Sequence, residues 1–166
     1  MRIIIDGYNL LRHIQGLNRL ACRDLKGARE QLLKRLESYR RVKGHSFEVV
    51  FDAWKGDSPR QQEERFGGIK VIYSPSGQKA DEVIKGISRT FGNGVVIVTS
   101  DHEVADFAST QGSPVITAGE FEKKLTEVFL AKDDAASVES HPSKTKGPSR
   151  MLKKKERRSR TALRNL

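Results

Sequence analysis

Three successive isoleucines, Ile3, Ile4 and Ile5, open the chain, and Asp6 stops the apolar run. A β-branched run with no polar alternation reads as a strand covered on both faces, as in a parallel sheet. The same pattern recurs downstream. Ser46–Phe51 (SFEVVF) predicts a second strand, with Asp52 directly after it. Ile69–Tyr73 (IKVIY) predicts a third, residues 95–99 (VVIVT) a fourth, and residues 114–117 a short fifth. Between them, Leu25, Ala28, Leu32, Leu36 and Tyr39 recur at helical spacing, behind a capping Asp24 and before Gly44. Ala80, Val83, Ile84, Ile87 and Phe91 do the same in a helix opening near Lys79, with Asp81 and Glu82 in its first turn and Gly92 and Gly94 at its end. Ser100 with Glu103, and Thr117 with Glu120, have the spacing of capping boxes. The second opens a helix with Phe121, Leu125, Val128 and Phe129 on one side.

Two stretches carry weaker patterns. Residues 12–23 read as a loop or short helix, and the polar residues 53–68 as a mobile loop with at most one helical turn at 61–65. Strands alternating with helices imply an α/β fold: a central parallel sheet with helices on both faces. The 166 residues suit one domain, placed here at 1–131. From Lys132 the composition turns to Asp, Ser, Pro, Lys and Arg, so 132–166 reads as a disordered basic tail.

Composition sharpens this picture through charge. Residues 144–166 hold ten Lys/Arg against Glu156, a net +9, while the first 143 residues carry 21 basic and 20 acidic side chains, a net +1. A near-neutral body with a cationic extension is the electrostatic signature of nucleic-acid binding. Lys153, Lys154, Lys155, Arg157, Arg158 and Arg160 form its densest part and are candidate RNA-binding residues. No apolar run is long enough to span a bilayer and no signal-peptide pattern opens the chain. One cysteine, Cys22, excludes an intramolecular disulfide and a thiolate metal cage, in keeping with a reduced, cytoplasmic protein. His13, His45, His102 and His141 lack zinc-ligand spacing.

The candidate chemistry lies at the strand ends. Asp6 follows the first strand, Asp52 the second and Asp101 the fourth, while Asp81 starts a helix. Parallel strands deliver their C-terminal ends to one edge of the sheet, where ligands bind in such folds. Carboxylates gathered there repel one another, and a hard divalent cation such as Mg²⁺ or Mn²⁺ relieves the repulsion with oxygen ligands. Each acid also has a plain structural reading as a turn or helix-capping residue. Asp106 lies about one turn beyond Asp101, facing either the site or solvent. Tyr8 and Trp54 flank the proposed edge and suit stacking on a base, and Trp54 equally suits packing.

DGYNLL at 6–11, VVFDAW at 49–54, KADEVI at 79–84 and VIVTSD at 96–101 together resemble the YacP-like NYN branch of the PIN-like ribonucleases. The resemblance runs from Met1 to about Leu130. It implies a PIN-like three-layer α/β sandwich with a central parallel sheet and a Mg²⁺- or Mn²⁺-dependent endoribonuclease site. By resemblance, Asp6, Asp81 and Asp101 match the main acidic metal positions. Asp52 matches the acid after the second strand. Asn9 orients Asp6 or a metal-bound water, and Thr99 and Ser100 hold the substrate phosphate.

The expected protein is therefore a metal-dependent endoribonuclease acting on single-stranded or locally open RNA, with a ribosomal or other structured RNA surface suiting its tail. A non-catalytic RNA-binding module, or a metal-dependent DNA nuclease, is the alternative. One or two metal ions fit four carboxylates equally, and the sequence leaves the oligomeric state open.

Overall fold

In a computed structural model, the chain is described over residues 1–53, 60–134 and 162–164, with 129–134 as backbone only. Its elements run β1 (Arg2–Asp6), α1 (Gly7–His13), α2 (Gln15–Ala21), α3 (Leu25–Lys43), β2 (Ser46–Phe51), β3 (Gln62–Phe66), β4 (Ile69–Tyr73), α4 (Ala80–Phe91), β5 (Val96–Val98), α5 (His102–Thr110), β6 (Val115–Ile116) and α6 (Ala118–Asp134). A short 3-10 turn, Gly92–Gly94, links α4 to β5. The six strands form one sheet in the order β3-β4-β2-β1-β5-β6. All pairings are parallel except that of β3 with β4.

The isoleucine run is central. Ile3 and Ile5 turn to one face and Ile4 to the other, all with no exposed surface. In register, Ile5 lies between Val49 of β2 and Val98 of β5. On the first face Phe47, Val49 and Phe51 pack with Leu10, Leu17, Leu32, Leu36, Tyr39 and Phe121, so α1, α2, α3 and α6 cover it. On the second, Val50, Ile72 and Ile97 pack with Val83 and Ile84 of α4 and Val104 and Ala108 of α5. The result is the expected three-layer sandwich. Its sheet is mixed, because an antiparallel edge strand completes it.

That edge strand overturns the reading of 61–65 as loop or helical turn. Gly67 and Gly68 both take positive φ, 54° and 81°, the conformation of a tight two-residue hairpin turn. They return Phe66 opposite Ile69 and Glu64 opposite Val71. Residues 62–65 of β3 are exposed, so no apolar alternation marks them, and Glu63 is anchored instead by Lys70 at 2.8 Å.

Three smaller features sit beside the expectations as follows. Residues 12–23 belong mostly to two helices, α1 and α2, whose buried Leu10, Leu11, Ile14 and Leu17 make one apolar side. Phe91 is 45% exposed instead of packed in the core, with the Arg2 guanidinium 4.0 Å from its ring centre. The boundary placed at 131/132 falls inside α6. Ala162, within the expected tail, is 5% exposed and belongs to the same core cluster as Ile3 and Ile5, with the partly buried Leu163 packed against it.

Candidate active site

Asp6 ends β1 and caps α1: one carboxylate oxygen accepts the Asn9 backbone N–H at 3.0 Å. Its other oxygen accepts the buried Thr99 hydroxyl at 3.4 Å. Asp52, just past β2, reaches across to accept the Ala80 N–H at 2.6 Å, at the start of α4. Asp101 caps α5 with one oxygen, which accepts the N–H groups of Glu103 and Val104 at 2.8 and 3.1 Å. Three acids thus perform the capping role that the plain reading assigned them. Capping occupies only Oδ1 of Asp52 and of Asp101, which leaves Oδ2 of each for a ligand. Asp81, in the first turn of α4, has no hydrogen-bond partner among the described residues.

A layer of polar side chains fixes these acids relative to one another. The Thr99 hydroxyl that donates to Asp6 also accepts the Asp101 N–H at 3.1 Å, tying two acids from different strands together. The Asn9 side-chain oxygen accepts the Ser100 N–H at 3.0 Å, and the Ser100 hydroxyl oxygen accepts the Ala118 N–H at 3.1 Å. One hydrogen-bonded chain therefore joins α1, the β5–α5 loop and α6.

Asp6, Asn9, Asp52, Asp81 and Asp101 line a single polar pocket of about 650 Å³. It lies at the C-terminal end of β1, where the chain, having built outward through β2 and β4, crosses to β5 on the other side. Strand order reverses here, and open α/β sheets place their ligands at such a crevice. Arg12 of α1, Lys79 before α4 and the loop Ser76, Gly77 and Gln78 complete the wall.

The electrostatics are those of crowded carboxylates whose burial and mutual repulsion outweigh the nearby cations. Asp6 is pushed up to about 6, mainly by burial, with Asp81 and Asp52 adding to the rise and the Asn9 N–H opposing it. Asp81 is raised too, first by burial and then by the charges of Asp101 and Asp52. Among the described residues, no three carboxylate, imidazole or thiolate groups are drawn together closely enough to ligate an ion jointly. The donor set nonetheless fits a hard divalent cation, being all oxygen, mutually repelling and open to a common space.

The structure separates the other expected site residues. Asp106 is exposed on α5 and does not line the pocket. Thr99 and Ser100 are not on its wall either. Their hydroxyls face inward as positioning groups, where phosphate contacts were expected. Glu103 does not form the capping box with Ser100; Asp101 is the cap, and Glu103 pairs with Lys85. Trp54 and the basic residues Lys153, Lys154, Lys155, Arg157, Arg158 and Arg160 lie outside the described residues.

Arg12 and Lys79 line the pocket without being among the candidates read from the sequence. Arg12 stands one helical turn after Asn9 and Lys79 opens the KADEVI motif, so each had a positional signal.

The model of the YacP-like NYN domain matches residues 3–165. The chain belongs to the YacP-like NYN domain family. The uncharacterized protein YacP of Bacillus subtilis (strain 168) is 29% identical over 129 residues, covering 76% of this chain and 72% of that one. A crystal structure of Rae1 (YacP) from Bacillus subtilis superposes with a TM-score of 0.68 at 23% identity, covering 82% of this chain and 79% of that one. A point-mutant form of it gives 0.67 at 21% identity, with 85% and 86% covered. These two share the fold with this NYN-domain chain, and the family is of the PIN-like nuclease type. No helix among the described residues is long and apolar enough to cross a membrane.

Proposed function

We propose that this NYN-domain protein is a metal-dependent endoribonuclease that hydrolyses phosphodiester bonds in single-stranded or locally open RNA. One observation carries the reading. Four carboxylates from four separate chain segments converge on one pocket, whose wall also holds two cationic side chains, Arg12 and Lys79.

Asp6, Asp81 and Asp101, with Asp52, would hold Mg²⁺ or Mn²⁺. When bound, the ion supplies Lewis acidity, lowering the pKa of an attacking water and offsetting charge at phosphorus. The chain's own groups do the rest. Arg12 and Lys79 neutralise the phosphate and seat it against the acids. Thr99 and the Asn9 amide hold Asp6, Asp101 and the β5–α5 loop in a fixed arrangement, so that little reorganisation accompanies the reaction. The cationic residues 144–166 add salt-sensitive, sequence-blind affinity for RNA phosphates, and a ribosomal RNA surface is a partner of the right charge.

Cleavage of a labelled single-stranded RNA with Mn²⁺, Mg²⁺ or EDTA, comparing the wild type with Asp101→Asn, tests the reading. Asparagine caps helices about as well as aspartate, so the variant keeps α5 while losing a charged oxygen. The expected loss exceeds the 10–100-fold typical of disturbing only an outer-shell partner. Cutting that persists in EDTA, or equally in the variant, would overturn the assignment.

The capping bonds of Asp6, Asp52 and Asp101 favour a second reading, a non-catalytic RNA-binding module. That reading requires RNA binding with no metal-dependent thermal shift. A matched DNA strand in the same assay separates ribonuclease from deoxyribonuclease.

A further inference from the structure

A second cavity, of about 430 Å³, opens beside the carboxylate pocket, between α1, α2 and the start of α3. The two share three walls, Tyr8, Arg12 and Asp52, and so form one continuous groove. Their linings differ in kind. Four acids line the first, whereas Leu11, Ala21 and Leu25 give the second an apolar wall, alongside Asn18 and Cys22. Its volume lies within the roughly 300–1,000 Å³ of small-ligand sites, which combine apolar walls with a few polar groups.

From this juxtaposition we infer that the second cavity is a nucleobase subsite, which seats the unpaired base next to the phosphate held at the carboxylates. The inference rests on the proposed RNA cleavage and adds how the strand is gripped. Tyr8 stands at the junction, half-buried, with its ring edge-to-face on Phe51 at 5.1 Å. Phe51 is buried and stacks in turn on Tyr73 at 6.0 Å, so Tyr8 rests on a fixed aromatic base. A base has two apolar faces and a hydrogen-bonding edge, which matches an aromatic and aliphatic slot with an amide at its mouth. The Asn18 side-chain amide has no partner among the described residues and can both donate to and accept from a base edge. Arg12 lies on both cavities and bridges base site and phosphate site. A duplex keeps its bases stacked inside, so the subsite selects unpaired RNA.

Cys22 provides a built-in reporter, because it is exposed, lines this cavity and is the chain's single cysteine. The experiment is alkylation of Cys22 in the full chain by iodoacetamide, in EDTA so that RNA stays intact. A saturating single-stranded RNA decamer should slow alkylation at least about fivefold, since thiol reactivity follows access. A ribose-phosphate decamer without bases should leave the rate unchanged. Asn18→Ala, an exposed substitution, should reduce the protection, and Tyr8→Ala should abolish it.

Equal protection by the base-free strand would overturn the subsite and leave only phosphate attraction to the nearby Arg19 and Arg23. Full protection in both variants would overturn it as well. Failure of the nuclease reading is distinguishable: a protein that cuts no RNA yet shows base-dependent protection keeps the subsite. One that cuts RNA without protecting Cys22 loses it.

Discussion

Asp6 is the residue on which the pocket's charge weighs most. Its folded pKa, near 6, stands above the ordinary 3.8, so between these values the native state binds more protons than the unfolded chain. Stability therefore falls as pH rises through that window, and above it the buried charge costs roughly 2–3 kcal/mol. Asp6→Asn keeps a capping oxygen for the Asn9 N–H and removes the charge. The expected outcome in metal-free buffer is a variant more stable than wild type by about 1–3 kcal/mol at pH 7.5 and equal to it near pH 3.5, alongside lost cleavage. Denaturant midpoints at the two pH values check this. A gain of the same size at both would show that charge burial is not the cause. Legibility at this scale was uneven. The acids stood out because each ends an apolar strand or opens a helix. Arg12 and Lys79 did not, since a cation on a helix or in a loop is usually solvated.

At the scale of elements, Gly7 is the hinge between strand and helix. A Cβ there would run into the ring of Phe51, which is fully buried. Gly7→Ala should therefore destabilise the fold by about 1–3 kcal/mol, as overpacked cores do. It should also lower cleavage by displacing Asp6 and Asn9 on either side. Urea midpoints read the first effect, and turnover at a temperature where both proteins are folded reads the second. The buried strands and the helices α3, α4 and α6 were legible because burial imposes a period. β3 was not, because an exposed edge strand has none. Its one sign is the Gly67-Gly68 pair, which in sequence marks a loop as readily as a hairpin turn. Asp101 displaced Ser100 as the cap of α5 because the Ser100 hydroxyl is bonded to α6.

At the scale of the whole molecule, the body and its basic extension meet at Ala162. The sequence offered no sign of this, since two apolar residues amid cations look like tail. Deleting everything after residue 134 should therefore have two separable effects. Loss of the Ala162 and Leu163 contacts should cost about 1–2 kcal/mol, a fall in Tm of about 2–8 °C. Loss of the cations should weaken RNA binding and flatten its dependence on salt. Calorimetry and binding titrations across salt concentrations check the pair. An unchanged Tm would show that the docked turn contributes nothing, and unchanged affinity at low salt would remove the tail's role.

The strand order has a consequence for how the protein comes into being. Residues 1–6 are made before any of their sheet partners, yet β1 ends between β2 and β5, and one of its flanks stays bare until residues 96–98 exist. Asp101 and the Thr99 hydroxyl that joins it to Asp6 arrive at the same late moment. A chain still being made therefore carries its acids scattered along a thread. The pocket comes together only once residue 101 has been made, so a copy halted before that point holds no gathered acids at all.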